Sequence, residues 1–140
     1  MIKKLLVVLS LFVIFLHSTC VNAEGFKDIE IFDPKQDKVV KVVQSNPQIQ
    51  NMITSWITNL EGLYKNDPAT DDGYVVRIPL DPKVKCKSLN ALVSEVYILI
   101  PENEPPCYLI FEDENKLLSL PFNGDMDKLS KILDFKLNNN

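Results

Sequence analysis

Few residues in this 140-residue chain can do acid–base or nucleophilic chemistry, and they lie far apart. The only histidine is His17, the cysteines are Cys20, Cys86 and Cys107, and the remaining titratable groups are mostly 19 acidic and 15 basic side chains. His17 falls inside an apolar N-terminal stretch. Once that stretch is removed, no Ser-His-Asp triad or Cys-His pair can be built, and a catalytic zinc ion loses its usual imidazole ligands. The glycines Gly25, Gly62, Gly73 and Gly124 are isolated, so no glycine-rich phosphate loop exists. Ser-x-x-Lys does not occur either.

Carboxylate chemistry is what remains. Glu112-Asp113-Glu114-Asn115, with Asp67, Asp71 and Asp72, could supply the oxygen ligands that calcium prefers. The spacing lacks the alternate Asp positions before a central Gly that mark a calcium loop, and a solvated hairpin turn explains the cluster equally well. Two carboxylates could also hydrolyse a glycosidic bond without histidine, but nothing marks a particular pair. The expectation is a protein without a cofactor, calcium being the one metal within reach, and more readily a binding module than an enzyme.

The N-terminal stretch sets the compartment. Lys3 and Lys4 are followed by an apolar run from Leu5 to Leu16, broken only by Ser10, and then by the small-polar-small exit Val21-Asn22-Ala23. These are the parts of a secretory signal peptide. The run of about 12 residues is short of the roughly 20 that span a bilayer. Cleavage between Ala23 and Glu24 is expected, leaving residues 24–140 as one domain. The alternative lies at Cys20. Leu16-His17-Ser18-Thr19-Cys20 resembles a bacterial lipoprotein signal, with departures at His17, where an apolar residue is usual, and at Thr19, where Gly or Ala is usual. A diacylated Cys20 would hold the domain at a membrane surface, while cleavage after Ala23 releases it.

Loss of Lys3 and Lys4 with the leader would take the formal charge from −4 to −6. A net acidic domain is a poor ligand for phosphate backbones, so no nucleic acid is expected as a partner. Arg77 is the only arginine, which removes most forked recognition of phosphate or carboxylate. Residues 24–140 are enough to bury about two thirds of the unfolded surface without a metal or staple.

Period-two alternation in Phe26–Phe32 predicts a short edge strand. Asp33-Pro34 has the form of an N-cap with proline at the first helical position, predicting a helix that presents Val39, Val40, Val42 and Val43. Ser45-Asn46-Pro47 breaks that helix and caps the next. The next is predicted over Pro47–Tyr64, with Ile49, Met52, Ile53, Trp56, Ile57, Leu60, Leu63 and Tyr64 on one face. That stripe could anchor a partner through Trp56, but a domain this small needs such a face inside. A polar loop, Lys65–Gly73, precedes strands at Tyr74–Leu80, Lys83–Lys87, Leu92–Ile100, Cys107–Glu112 and Lys116–Phe122. Asp125 caps a last helix with Met126, Leu129, Ile132 and Leu133 on one side, and the tail Leu137–Asn140 should fray. The sum is an α+β fold, an antiparallel β-meander of three to four strands packed against two to three helices in a single two-layer domain.

Three further features have competing explanations. An exported protein with two remaining cysteines suggests a Cys86–Cys107 disulfide. The meander opposes it, because Cys107 falls near Ile100 and Cys86 near Leu92, roughly 20 Å away along the strand, whereas a bridge needs Cα atoms within about 7 Å. Lys85 and Lys87 could lower the Cys86 thiol pKa, but on a strand they point to the opposite face. Lys83, Lys85 and Lys87 could touch an anionic polymer or lipid head groups, or guard an edge strand. Leu120-Pro121-Phe122-Asn123-Gly124 resembles the sortase sorting motif Leu-Pro-x-Thr-Gly, with Asn for Thr. The apolar stretch and basic tail that should follow it are missing, so it reads as strand end, turn and helix start.

On its leader, its size and its Lys- and Asn-rich, Arg-poor usage, the chain resembles small exported proteins of Bacillus-like bacteria. That resemblance carries no functional residue across. The expected function is an exported, non-enzymatic binding or interaction domain at or outside the cell envelope, its partner a protein or envelope component. Membrane contact is expected only through the signal peptide or a lipid anchor. A small carboxylate hydrolase, a calcium-dependent module and a lipoprotein anchored at Cys20 are the alternatives.

Overall fold

The computed structural model describes residues 25–62, 68, 70–87, 89, 92–111 and 116–137. Six strands form one open antiparallel sheet in the order β2-β1-β3-β4-β5-β6. They are β1 (Ile29–Asp33), β2 (Lys38–Val43), β3 (Tyr74–Lys85), β4 (Leu92–Ile100), β5 (Cys107–Phe111) and β6 (Leu117–Pro121). Two helices accompany them among the described residues, α1 (Pro47–Thr58) and α2 (Met126–Leu133). The α+β class stands; the sheet is wider than the three to four strands expected.

The widening comes from residues 29–43. The helix expected after Asp33-Pro34 is instead the turn of a β1–β2 hairpin. The Asp33 carboxylate does not cap a helix. Its Oδ1 accepts from the Lys35 (2.9 Å) and Gln36 (3.4 Å) backbone N–H groups, and its Oδ2 from Gln36 Nε2 (2.7 Å). That closes the chain locally, and Asp37 at φ 53° completes the reversal. The four valines then follow β-branched preference into a strand. The hairpin also moves β1 off the edge. Glu30 pairs with Val42 on one side and Arg77 on the other, so β1 is interior and β2 is the edge.

β2 and β3 flank β1, and α1 carries the chain from one to the other. Asn46 caps α1, its Oδ1 accepting from Ile49 N–H at 2.9 Å, and Pro47 follows as the first helical residue. Asn46→Ala is expected to cost about 1 kcal/mol, seen as a lower urea midpoint at unchanged m-value. The helix ends at Thr58, short of the expected Tyr64. Thr58 Oγ1 donates to Thr54 O and Asn59 Nδ2 to Ser55 O, and Leu60 N–H turns back onto Ile57 O. Leu63 and Tyr64 lie outside the described residues.

β3 to β6 run as the expected meander, except that the strands expected at Tyr74–Leu80 and Lys83–Lys87 join into one, which ends at Lys85. Its register against β4 jumps between Pro79 and Val84, leaving a bulge that holds a cis Asp81–Pro82 peptide. Gln50, buried on α1, pins that bulge. Its Nε2 donates to Pro79 O (2.8 Å) and Ser45 Oγ (2.9 Å), and its Oε1 accepts from Asp81 N–H (3.1 Å). Asp125 caps α2 as expected, accepting from Lys128 N–H at 3.1 Å.

Both helices pack on the same face of the sheet. Ile49, Ile53 and Ile57 of α1 and Leu129 and Leu133 of α2 share one core with Ile29, Ile31, Val76, Ile78, Ile98 and Tyr108. Trp56 belongs to this layer, edge-on to Phe122 at 5.6 Å. A second apolar cluster, Phe32, Val75, Tyr97, Leu99, Cys107 and Leu109, lies on the far face and, among the described residues, includes none from a helix.

Candidate functional site

Strand alternation sends Glu30 and Phe32, Val75 and Arg77, Tyr97 and Leu99, and Cys107 and Leu109 to that far face. The register arranges them in two rows across the sheet. One row is apolar and runs Val39, Phe32, Val75, Leu99, Cys107. The neighbouring row runs Val42, Glu30, Arg77, Tyr97, Leu109 and is charged at its centre.

The chain's only arginine sits in that second row. Arg77 Nε donates to Glu95 Oε2 at 3.0 Å, and Arg77 Nη1 lies 3.8 Å from Glu30 Oε2. Tyr97 Oη donates to the other Glu95 oxygen at 3.1 Å, while its ring meets Phe111 edge-on at 5.8 Å. Glu30 is only 3% exposed. Burial, and then the Glu95 charge, raise the Tyr97 phenol pKa above its ordinary value, so the hydroxyl stays protonated as a donor. A buried ion cluster adds little net stability but is costly to break. It fixes the side chains of this face in one arrangement. Beside it lies a cleft of about 400 Å³ whose lining includes Phe26, Lys27, Asp81 and Glu95.

A second cleft, of about 590 Å³, opens at the other end of β1 and β3, between Asp33, Lys35, Tyr74, Glu102 and Glu104. The exposed Lys35 Nζ donates to Glu102 Oε1 at 2.6 Å, and that bond and charge raise its pKa. Asp72 belongs to this end too, its Oδ1 accepting from Glu102 N–H at 3.0 Å.

Chemically the far-face cluster is a positioning device. Arg77 is taken up by two carboxylates. Of the sequence candidates, Cys86 and Cys107 are free thiols, both buried, on opposite faces and at opposite ends of β4. Ser119 Oγ lies 3.8 Å from Cys107 Sγ, and burial pushes the Cys107 thiol up to about 11 from 9.0. Lys83, Lys85 and Lys87 are exposed. β1 pairs with β3 only at Val75–Arg77, so Lys83 and Lys85 stand on the end of β3 that pairs with β4 alone. The Leu120–Gly124 motif is built into the fold. Asn123 Oδ1 accepts from Tyr108 Oη (2.8 Å), and Asn123 Nδ2 donates to Trp56 O (2.9 Å). A Cβ on Gly124 would meet the Trp56 ring at 2.5 Å. Cys20, Ala23, Glu24, Asp67 and Glu112–Asn115 lie outside the described residues. Among the described residues, no group of three or more His, Cys, Asp or Glu could hold a metal ion, and no helix is long and apolar enough to cross a membrane.

Sequence reasoning passed over the contacts made by Glu30, Arg77, Glu95, Gln50 and Asn123. A signal existed for the first three, since each is a charge set into an apolar strand. Which charges would meet depended on strand order.

The buried acids give a pH dependence with a definite sign. Tyr97, Tyr108 and Cys107 all have raised pKa values, chiefly through burial. The unfolded chain therefore loses these protons first, and the stability they contribute is complete below pH 9 and lost as pH climbs. For Cys107 alone, a shift from 9.0 to about 11 corresponds to about 2–3 kcal/mol by pH 11. Urea midpoints should hold steady up to about pH 8.5 and fall beyond it, and Cys107→Ala should fall less steeply between pH 9 and 11.

Comparison with protein-family models, curated proteins and solved structures returns no match to this chain.

Proposed function

We propose that this protein is an exported, non-enzymatic binding domain acting at or outside the cell envelope. The leader Met1–Ala23 and the scarcity of acid–base and nucleophilic groups in residues 24–140 carry the proposal. Export is supported by the leader Met1–Ala23, and the acidic balance disfavours nucleic acid. The partner is a protein or envelope component.

Intact-mass measurement of the native protein made in a bacterial host tests the export. The expected product starts at Glu24. A product starting at Cys20 with added diacylglycerol would make it an anchored lipoprotein instead, and a cytosolic product retaining Met1 would overturn export. Thermal melting in millimolar calcium and in chelator tests the binding module against the calcium-dependent one. No shift is expected, whereas a rise of several degrees would mean a bound ion stabilising the folded state.

A further inference from the structure

The sheet is open, so it ends in two edge strands, β2 and β6. An edge strand carries a row of backbone N–H and C=O groups ready to pair with another chain, and lysines, bulges and prolines are the usual guards against it. β2 is guarded. It carries Lys38 and Lys41, and its register against β1 shifts between Ile31 and Phe32. Lys41 Nζ also donates to Asp134 O at 2.6 Å, which ties the end of α2 to this strand. β6 is built differently. Leu117–Pro121 holds no charged residue, and its register against β5 runs from Phe111↔Leu117 to Cys107↔Pro121 without a shift. Its one proline is the last residue of the strand.

One hydrogen bond fixes which groups of β6 face outward. Phe122 N–H donates to Pro106 O at 3.4 Å, one step beyond the Cys107↔Pro121 pair. Backbone polar groups point alternately to the two sides of an antiparallel strand. Leu118 and Leu120 therefore bond to β5. Leu117 and Ser119 turn both N–H and C=O outward, and Pro121 turns its C=O outward. Among the described residues no strand lies beyond β6. Backbone groups of this kind call for partners, and their spacing specifies an extended strand.

We propose that β6 pairs antiparallel with β6 of a second copy of this chain, about a two-fold axis at Ser119, so that one sheet runs through both copies. The strand is complementary to itself. Pairing about Ser119 overlaps all five residues of each strand and leaves both Lys116 side chains beyond its ends. Each Ser119 N–H then meets the partner's Ser119 carbonyl, and each Leu117 N–H meets the partner's Pro121 carbonyl. The Leu117 carbonyls, opposite a proline with no hydrogen to give, fall at the ends of the paired stretch where water reaches them. Leu118 lies beside the partner's Leu120 on the helix face, and Leu117 beside the partner's Pro121 on the far face. Leu117 and Leu118 are half-buried and Pro121 is exposed in the single chain, so apolar surface is covered as the bonds form. No like charges oppose one another within the pair, which β2, with its two lysines, would not offer. The pairing rests on β6 alone and stands apart from the export proposed above.

Sedimentation velocity of the protein as purified from the bacterial host is expected to show a monomer–dimer equilibrium between about 10 and 500 μM, as befits a contact smaller than a standard interface. Ser119→Lys sets two like charges opposite each other at the axis and should abolish the dimer, as should Ser119→Glu. An equimolar mixture of the two variants should restore it, because unlike charges then face each other. A parent that stays monomeric throughout would overturn the proposal. So would a dimer that survives both substitutions, or a mixture that stays monomeric although each variant unfolds cooperatively in urea. Amide exchange in the unsubstituted protein reads the same contact without risk to the fold. The Leu117 and Ser119 N–H groups should exchange at least tenfold faster on dilution to monomer, while those of Leu118 and Leu120, bonded to β5, change less than twofold. Exchange at Leu117 and Ser119 that is indifferent to concentration would overturn the pairing, whether fast, which leaves the edge to a strand of another protein, or slow, which means the chain covers the edge itself.

Discussion

Gly73→Ala should lower the unfolding free energy by about 3 kcal/mol, combining a left-handed backbone conformation with an overpacked contact. Gly73 has φ +68°, where a side chain is strained whatever the space around it. There is also no space. A Cβ would stand 1.8 Å from Ile100 O, 2.8 Å from Ile100 C and 3.0 Å from Pro101 Cα. All three are backbone atoms, so no rotamer change relieves the clash. The strain falls on Tyr74↔Ile100, the first pair of the β3–β4 ladder, and opening it would loosen the strand that carries Arg77 and Val75. Gly124→Ala is the comparison, because there the added carbon meets the Trp56 side chain rather than backbone. Chemical denaturation of both variants checks the ranking. A loss under about 1 kcal/mol for Gly73→Ala would mean the Gly73 backbone does not pass so close to Ile100.

Arg77→Met is the second large effect, a loss of about 3 kcal/mol. The methionine keeps much of the volume and removes the charge. Glu95 loses its 3.0 Å donor and Glu30, almost fully buried, loses the nearest guanidinium nitrogen. Breaking a buried ion cluster from one side leaves buried carboxylates without their opposing charge, which is where the cost arises; replacing all the partners is far cheaper. The triple variant Arg77→Met, Glu30→Gln, Glu95→Gln should therefore recover at least half of the loss. Urea denaturation at pH 7 measures both. If the single variant is as stable as the parent, the cluster is solvated and does not organise the far face.

These two positions lie at different depths of legibility. Gly73 stands in the sequence as an isolated glycine after Asp71-Asp72, a plain turn signal, and nothing local says that Ile100 will approach it. Arg77 and Glu95 each stand out as a charge in an apolar run, yet their contact exists only because β3 and β4 pair in the observed register. The same division separates the correct and incorrect expectations for the hairpin. Asp33-Pro34 has the form of a helix start, and four valines have the form of a strand. The choice was made by β1, which offered β2 a partner in register from Ile29↔Val43 to Asp33↔Lys38.

What the sequence determined alone was set by near neighbours along the chain: a cap at Ser45 or Asn46 and one at Asp125, the amphipathic stripe of α1 as far as Ile57, and the β4–β5–β6 meander with its short links. Tertiary structure decided the interior place of β1, the strand identity of Lys38–Val43, the gathering of both helices on one face, and the meeting of Glu30, Arg77 and Glu95. The physical reason is range. Caps and periodicities act within a few residues, whereas Glu30 meets Arg77 across more than forty, and that pairing is settled only when the strands have chosen their order and each has committed one face to the helices.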